Sequence, residues 1–288
     1  MKQENCSICN GMIKLWTKKD NYNIYECSSC GFGQVLPKLS ESEVFSLYSE
    51  AGHNNNVSVS TKETLSNLLL KEKAYPNATL DAIRIVKKLK EIRELKENSL
   101  LDIGSGYGFF SREFLKNNFD VVAIELAIHE RNIFFELNGF YPLHISYEDF
   151  IPEKKFANII MSQVLEHVND PNNWILKSST ILQKNGIVII ALPNFGSIFK
   201  KIMKSKEPFI IPPYHLNYFT HKSLKTLLNN NDFEVIYSNT VTRIPLNKKF
   251  SHFPKIVIPI LSLFGNLVLR FIDLLGYGSI INIYAKKK

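Results

Sequence analysis

Residues 99–110, SLLDIGSGYGFF, constrain this chain more than any other segment. Leu100, Leu101 and Ile103 surround Asp102 with an apolar run, suited to a strand buried on both faces of a parallel sheet. Glycines then recur at 104, 106 and 108. Lacking a Cβ, they permit a tight turn whose backbone comes close to a ligand. From Phe109 to Leu115 the apolar spacing becomes helical. Strand, glycine turn and helix make the nucleotide-cradling half of a doubly wound α/β unit. Taken alone, the stretch also fits an ordinary strand–turn–helix. It does not carry the dinucleotide fingerprint G-x-G-x-x-G, because Phe109 stands where the third glycine belongs.

Beyond Leu115 the chain alternates strand and helix. DVVAIEL, 120–126, reads as a second strand. Glu125 lies near its end, 21 residues past Gly104, where a carboxylate can accept hydrogen bonds from both hydroxyls of a ribose. A helix is predicted over 128–138, a short strand over 141–145, and the segment SYEDF at 146–150. ANIIM, 157–161, is the fourth strand and leads into SQVLEHVNDPNNW. A helix over 172–184 starts at Pro171 and Trp174 and stops at Asn185-Gly186, and IVIIAL is the fifth strand. Thr220 is a plausible N-cap for the helix before strand six, and SIINIYAKKK closes the chain as a strand. Upstream, a helix over 79–95 carries apolar residues at 83, 86, 89, 92 and 95 and should pack on the sheet.

In this order the motifs resemble those of the class I S-adenosylmethionine (SAM)-dependent methyltransferases with a methyltransferase-23-like domain. LDIGSGYG is similar to their motif I, LEHV to the segment after their fourth strand, and YHLNYFT to the segment ahead of their sixth. The resemblance covers about 75–288. It implies an α/β, Rossmann-like, seven-stranded sheet whose last strand runs antiparallel, with SAM as cofactor. It further implies cofactor contacts from Asp102, Gly104, Ser105, Gly106 and Gly108, from Glu125 and Leu126, from Asp149 and Phe150 at the adenine, and from Gln163 and Val164. Glu148 competes with Asp149 for the adenine amino group, and Asn158 stands where the family often has Asp.

All four cysteines lie in two pairs, Cys6-x2-Cys9 and Cys27-x2-Cys30, separated by seventeen residues. Four thiolates so spaced can surround one structural Zn2+ ion tetrahedrally, with IKLW and YNIYE as ribbon strands between them. The domain reading is therefore a zinc-ribbon module over 1–36, a connector over 37–76, and a methyltransferase domain over 77–288. The connector should hold a short helix at 40–49, with Ser40 as N-cap and Glu43 at the capping-box position. Such a module ahead of such a domain resembles a branch that includes sugar C-methyltransferases and proteins of polysaccharide synthesis. That implies a small-molecule or glycan acceptor, the sugar carried on a nucleotide or a lipid. The alternatives are an RNA methyltransferase that grips RNA with the ribbon and a catalytically silent SAM-binding protein. Only Lys18 and Lys19 make a basic pair on the ribbon, so nucleic acid is not the expected partner.

A hydroxyl or carbon acceptor must lose a proton. His167, just past strand four, and His215, in a Pro- and Tyr-rich loop with Tyr214 and Tyr218, are the candidate catalytic residues. No second set of metal ligands stands out in the sequence, which argues against metal-assisted transfer. Lys200, Lys201, Lys204 and Lys206 come after strand five and suit either an anionic substrate or a solvated loop. IPPY at 211–214 resembles a DNA amino-methyltransferase motif but lies after strand five instead of strand four, so it reads as an extended loop.

The net charge of +8 suits an anionic partner or a solvated basic surface. The N-terminus lacks the apolar core of a signal peptide, so a cytoplasmic location with reduced cysteines is expected. Residues 253–276 form an unusually apolar insertion between strands six and seven, in which Lys255, Arg270 and Asp273 frame a run too short to span a bilayer comfortably, interrupted as one helix by Pro259 and Gly265. It reads either as a cap on the active site or as a peripheral contact with the inner face of a membrane. Acceptor atom and oligomeric state stay open.

Overall fold

A computed structural model describes residues 5–49, 61–74, 77–94, 96–242 and 258–288. The breaks expected at Gly52, Asn54–Asn56 and Pro76, the helix position Leu95 and the apolar residues 253–257 lie outside the described residues. The chain opens with β1 (Ile13–Lys19), β2 (Tyr22–Cys27) and β3 (Gly33–Leu36), then α1 (Glu41–Ser49), α2 (Thr61–Ala74) and α3 (Asn77–Ile92). Next come β4 (Ser99–Ile103), α4 (Phe109–Lys116), β5 (Asp120–Ile124), α5 (Ile128–Asn138), β6 (Phe156–Ser162), α6 (Pro171–Ile181) and β7 (Leu182–Pro193). The last elements are α7 (Ile198–Met203), β8 (Asn217–Tyr218), α8 (His221–Asn230), β9 (Phe233–Val241), α9 (Ile258–Leu274) and β10 (Ile280–Lys287).

The main sheet runs β5-β4-β6-β7-β10-β9. β4, β5, β6 and β7 are parallel, and β10 runs antiparallel to both its neighbours, as expected of the closing strand. Alternate residues point to opposite faces. Leu100, Ile160, Ile187 and Tyr284 pack with Ile85, Val86 and Leu89 of α3 and Phe114 of α4. Leu101, Ile103, Ile159, Val188 and Ile283 pack on the other side with Ile175 of α6 and Leu224, Leu227 and Leu228 of α8.

Three sequence expectations need correction. Among the described residues the sheet has six strands, not seven. Segment 141–145 reaches the β5 edge but makes one parallel bridge, Ile124 to Leu143. Both rungs come from Leu143, whose N–H bonds Ala123 O at 2.8 Å and whose carbonyl accepts from Glu125 N–H at 3.1 Å, while the Pro142 carbonyl accepts from Arg131 Nη2 at 3.0 Å. The helix expected to end at Asn185-Gly186 ends at Ile181, because fully buried Leu182 already pairs with Phe156 of β6. Asn185, at φ +62, then sits where the β6–β7 register shifts. Finally, Pro259 and Gly265 do not interrupt α9. The helix is described from Ile258 and runs through both Pro259 and Gly265. Helix α2, packed on α5, gave no clear signal in the stretch read as a connector.

Capping agrees with the sequence more closely. Ser40 N–H and Oγ both donate to Glu43 Oε2, at 2.7 and 2.6 Å, and Thr220 caps α8 in a reciprocal box with Ser223. The ribbon strands form a second, antiparallel sheet, β1-β2-β3-β8. Its fourth strand comes from residues 217–218, where Gly33 pairs with Tyr218 and Gln34 with Asn217. Cys6, Ile8, Cys27, Cys30 and Phe32 share one continuous apolar core with Phe219 and the residues of α8. On α9, Leu263, Phe264, Leu267, Val268, Phe271 and Leu274 are exposed. No helix among the described residues is long and apolar enough to cross a membrane.

Candidate active site

β4 has β5 on one side and β6 on the other, so the strand order reverses at its carboxyl end. In open α/β sheets that is where ligands bind. The glycine turn lies there with φ of +62 at Gly104, +53 at Gly106 and +85 at Gly108. The three positions exclude a side chain for different reasons. A Cβ on Gly104 would come within 2.8 Å of Val164 Cγ2, and one on Gly108 within 2.3 Å of Asn138 Nδ2 and 2.6 Å of Phe134 Cδ2. A Cβ on Gly106 would meet nothing within 4 Å, so this residue faces open space. Beside it the Ser105 hydroxyl is buried without a hydrogen-bond partner. An open cradle next to an orphaned hydroxyl fits a bound cofactor.

Glu125 spans the turn. Its Oε2 accepts from Gly106 N–H at 2.8 Å and its Oε1 from Ala127 N–H at 2.9 Å. Leu126 beside it is half-buried. Asp102 lies beneath the turn, on the α4 face of the sheet, and accepts from Ser111 Oγ at 2.6 Å. Burial raises its carboxyl to about 7, with the Ser111 bond opposing and the Glu125 charge adding to the rise. Gln163 holds φ +57, with its N–H on Ala191 O at 2.7 Å, and Val164 behind it is buried against Gly104.

The two acidic candidates in 146–150 separate. Glu148 Oε1 accepts from Trp174 Nε1 at 2.8 Å and so faces α6. Asp149 stays exposed in the turn with Ser146 Oγ donating to its Oδ2 at 2.7 Å, and Phe150 is buried next to it. His144 is exposed. Lys200 is already engaged: its ammonium lies 3.1 Å from both Glu26 oxygens and 3.8 Å above the Phe195 ring.

His167 and His215 come together, with ring centroids 4.9 Å apart. His167 Nδ1 lies 2.8 Å from Tyr214 O and His215 Nδ1 lies 2.8 Å from Phe209 O. Tyr214 therefore contributes its carbonyl here, while its side chain is exposed. Sequence reasoning overlooked Glu166. Its side chain is buried beside the two histidines, with Oε1 3.9 Å from His167 Nε2 and neither oxygen hydrogen-bonded. Desolvation pushes it up to about 8. The ligating atoms of Glu166, His167 and His215 all lie within 4.8 Å of one another. The sequence showed no second cluster of metal-ligating residue types, and the structure brings one together. The set is split between residues 166–167 and 215, and only the fold joins them.

The four cysteines also converge, their sulfurs all within 4.8 Å and none in a disulfide. Cys6 and Cys30 sulfurs are 3.6 Å apart and those of Cys9 and Cys27 3.5 Å. Zinc–sulfur bonds of about 2.3 Å place tetrahedral ligands about 3.8 Å apart, so the quartet fits that ion. The Cys30 contact draws the Cys6 thiol down to about 5 and pushes Cys30 itself up.

Residues 77–238 match the family described as a methyltransferase domain. The ubiquinone biosynthesis O-methyltransferase of Pelagibacter ubique (strain HTCC1062) is 38% identical over 111 residues, covering 35% of this chain and 45% of that protein. Its namesake from Rickettsia prowazekii (strain Madrid E) is 28% identical over 119 residues, covering 38% of this chain and 46% of the relative. The chain thus spans about half the length of the curated relatives it matches. Among solved structures, a SAM-dependent methyltransferase of Thermotoga maritima, described as a possible histamine N-methyltransferase, has a TM-score of 0.53 at 20% identity, covering 79% of this chain and 99% of that one. The plantazolicin methyltransferase BpumL in complex with SAH gives 0.52 at 18% identity, covering 80% and 91%. These two share the fold.

Proposed function

The chain belongs to the methyltransferase domain family, and on that premise we propose that it transfers the methyl group of SAM to an oxygen of a small hydroxylated acceptor. The observation that carries the donor half is the open, left-handed Gly106 beside the orphaned Ser105 hydroxyl, at the point where the strand order reverses. SAM, when bound, supplies an electrophilic sulfonium methyl group. Gly104, Ser105, Gly106 and Gly108 would hold its methionine end. Glu125 would take the ribose hydroxyls, exchanging its bond to Gly106 for them. Leu126, Asp149 and Phe150 would close the adenine side, Gln163 and Val164 would line the pocket beside the glycine turn, and Asp102 would brace the turn from beneath through Ser111.

Displacement at the methyl carbon is in-line, so positioning the acceptor oxygen supplies much of the acceleration. Removing or offsetting its proton falls to the buried cluster of Glu166, His167 and His215, with Tyr214 holding His167 through its carbonyl. The oxygen acceptor is supported by the three matched curated relatives, all ubiquinone biosynthesis O-methyltransferases. The cysteine quartet is proposed as a structural Zn2+ site, all four coordination positions being filled by protein. The exposed apolar face of α9, with Arg270 on the same helix, is proposed as a peripheral contact with an anionic lipid surface.

The test is calorimetry with SAM, then transfer from labelled SAM to phenolic hydroxyls, nucleotide-linked sugars and RNA. Saturable SAM binding and label on a small-molecule oxygen are expected. Label on a sugar hydroxyl would select the glycan acceptor. Absence of SAM binding, or label on RNA alone, overturns the reading. Binding without transfer to any acceptor would make the chain a silent SAM-binding protein.

A further inference from the structure

We propose that Glu166, His167 and His215 form a binding site for one divalent transition-metal cation, separate from the cysteine quartet. The three ligating groups converge within 4.8 Å, and their residues are 1%, 8% and 5% exposed. Two features point to a ligand. A peptide carbonyl only accepts, so the bonds from Nδ1 to Tyr214 O and to Phe209 O put the proton of each neutral imidazole on Nδ1. Each Nε2 then carries the lone pair, and the carbonyl fixes the ring, which is how metal-binding histidines are oriented. The second feature is Glu166. Both its oxygens are buried without a hydrogen-bond partner. A carboxylate in that state is costly unless something compensates it, and a cation between it and two imidazoles does so.

The site is built before any ligand arrives. Glu166 O accepts from Leu216 N–H at 2.8 Å and from Asn217 N–H at 3.0 Å. These bonds clamp the segment carrying Glu166 and His167 to the one carrying His215. Two imidazoles and one carboxylate favour manganese, iron, cobalt or zinc over magnesium or calcium. Three protein ligands also leave positions open. His167 N–H bonds Val164 O at 2.9 Å, and Val164 packs against Gly104, so the cluster borders the glycine turn. The cation would accordingly bind the acceptor oxygen and lower its proton affinity. That last role rests on the methyl-transfer reading above, whereas cation binding does not.

The full chain, loaded with zinc at the cysteines, is titrated with Co2+ and monitored by visible absorption and calorimetry. One Co2+ per chain is expected, with weak d–d bands and no thiolate charge-transfer band. Glu166→Gln and His215→Asn should each weaken its binding at least tenfold while circular dichroism and thermal melting show that the fold persists. The proposal is overturned if wild type binds no Co2+, if the only bands are those of thiolate ligation, or if both variants bind as wild type does. Should Co2+ bind and SAM not, the cation site stands and the methyl-transfer reading falls.

Discussion

Replacing Gly106 and Gly108 by alanine, one at a time, separates a glycine kept for a ligand from one kept for packing. Both positions hold positive φ, +53 and +85. An alanine in the left-handed region costs about 1–2 kcal/mol, and for a chain of this size each kcal/mol lowers Tm by about 2–4 °C. Gly106→Ala adds nothing further, because its Cβ meets no atom within 4 Å. Gly108→Ala drives a methyl to 2.3 Å from Asn138 Nδ2 and 2.6 Å from Phe134. Phe134 is fully buried, and Asn138 donates to Gly108 O and Phe134 O, so neither yields easily. Overpacking of this kind adds about 1–3 kcal/mol. Gly108→Ala should therefore lose more stability, with a Tm drop about two to two and a half times that of Gly106→Ala. SAM affinity should rank the other way. The Gly106→Ala methyl enters the cradle and should weaken binding at least tenfold, about 1.4 kcal/mol. Differential scanning fluorimetry and calorimetry read the two quantities. If Gly106→Ala binds SAM as tightly as wild type, the turn is not the donor site.

The same geometry sets other outcomes. Asp102 titrates at about 7 when folded and near 3.8 otherwise, so the folded state keeps a proton that the unfolded chain releases between those values. Stability should fall as pH rises from about 4 to 7, by a ceiling of about 4 kcal/mol at about 1.4 kcal/mol per pH unit. Asp102→Asn keeps an acceptor for Ser111 and should flatten that slope in urea titrations, and an unchanged slope would place the pH dependence elsewhere. Cys27→Ser should abolish zinc in the ribbon, measured by mass spectrometry, and destabilise the whole domain by more than about 4 kcal/mol. The reach is long because Cys30 O accepts from Thr220 Oγ1 at 2.8 Å and β3 pairs with β8. Leu267→Glu with Phe271→Glu should reduce pelleting with phosphatidylglycerol vesicles and leave SAM affinity unchanged. Wild type that does not pellet would remove the lipid contact.

Much of the fold was legible because its signals are local. The apolar run through Ile103, the glycines after it and the Thr220 cap each need only a few residues on either side. The same holds for the two cysteine pairs, since a knuckle brings its two sulfurs together by itself. The failures involve partners distant in sequence. Segment 141–145 has strand character, but at the sheet edge it makes a single bridge, because its pairing with β5 depends on residues twenty positions earlier. Asn185-Gly186 is a fair helix stop, overridden because Leu182 is claimed by Phe156 across the sheet. Lys200 looked available until the fold brought Glu26 against it from the ribbon.

The sequence by itself determined the site proposed for the methyl donor. A strand end, three glycines and an acidic residue on the next strand carry the cofactor pattern, and each lies within one βαβ unit. The tertiary structure alone decided the cluster proposed for the acceptor. Leu216 and Asn217 bond to the carbonyl of Glu166, and this places His215 beside His167 around a carboxylate that the LEHV match contains without giving it a role. The ribbon was joined to the domain by the same stretch, through β8. The physical reason is the range of the forces involved. Backbone preference and periodicity act over one or two turns of chain. Burial of Glu166 and convergence of its neighbours arise when segments about fifty residues apart are packed against one sheet edge.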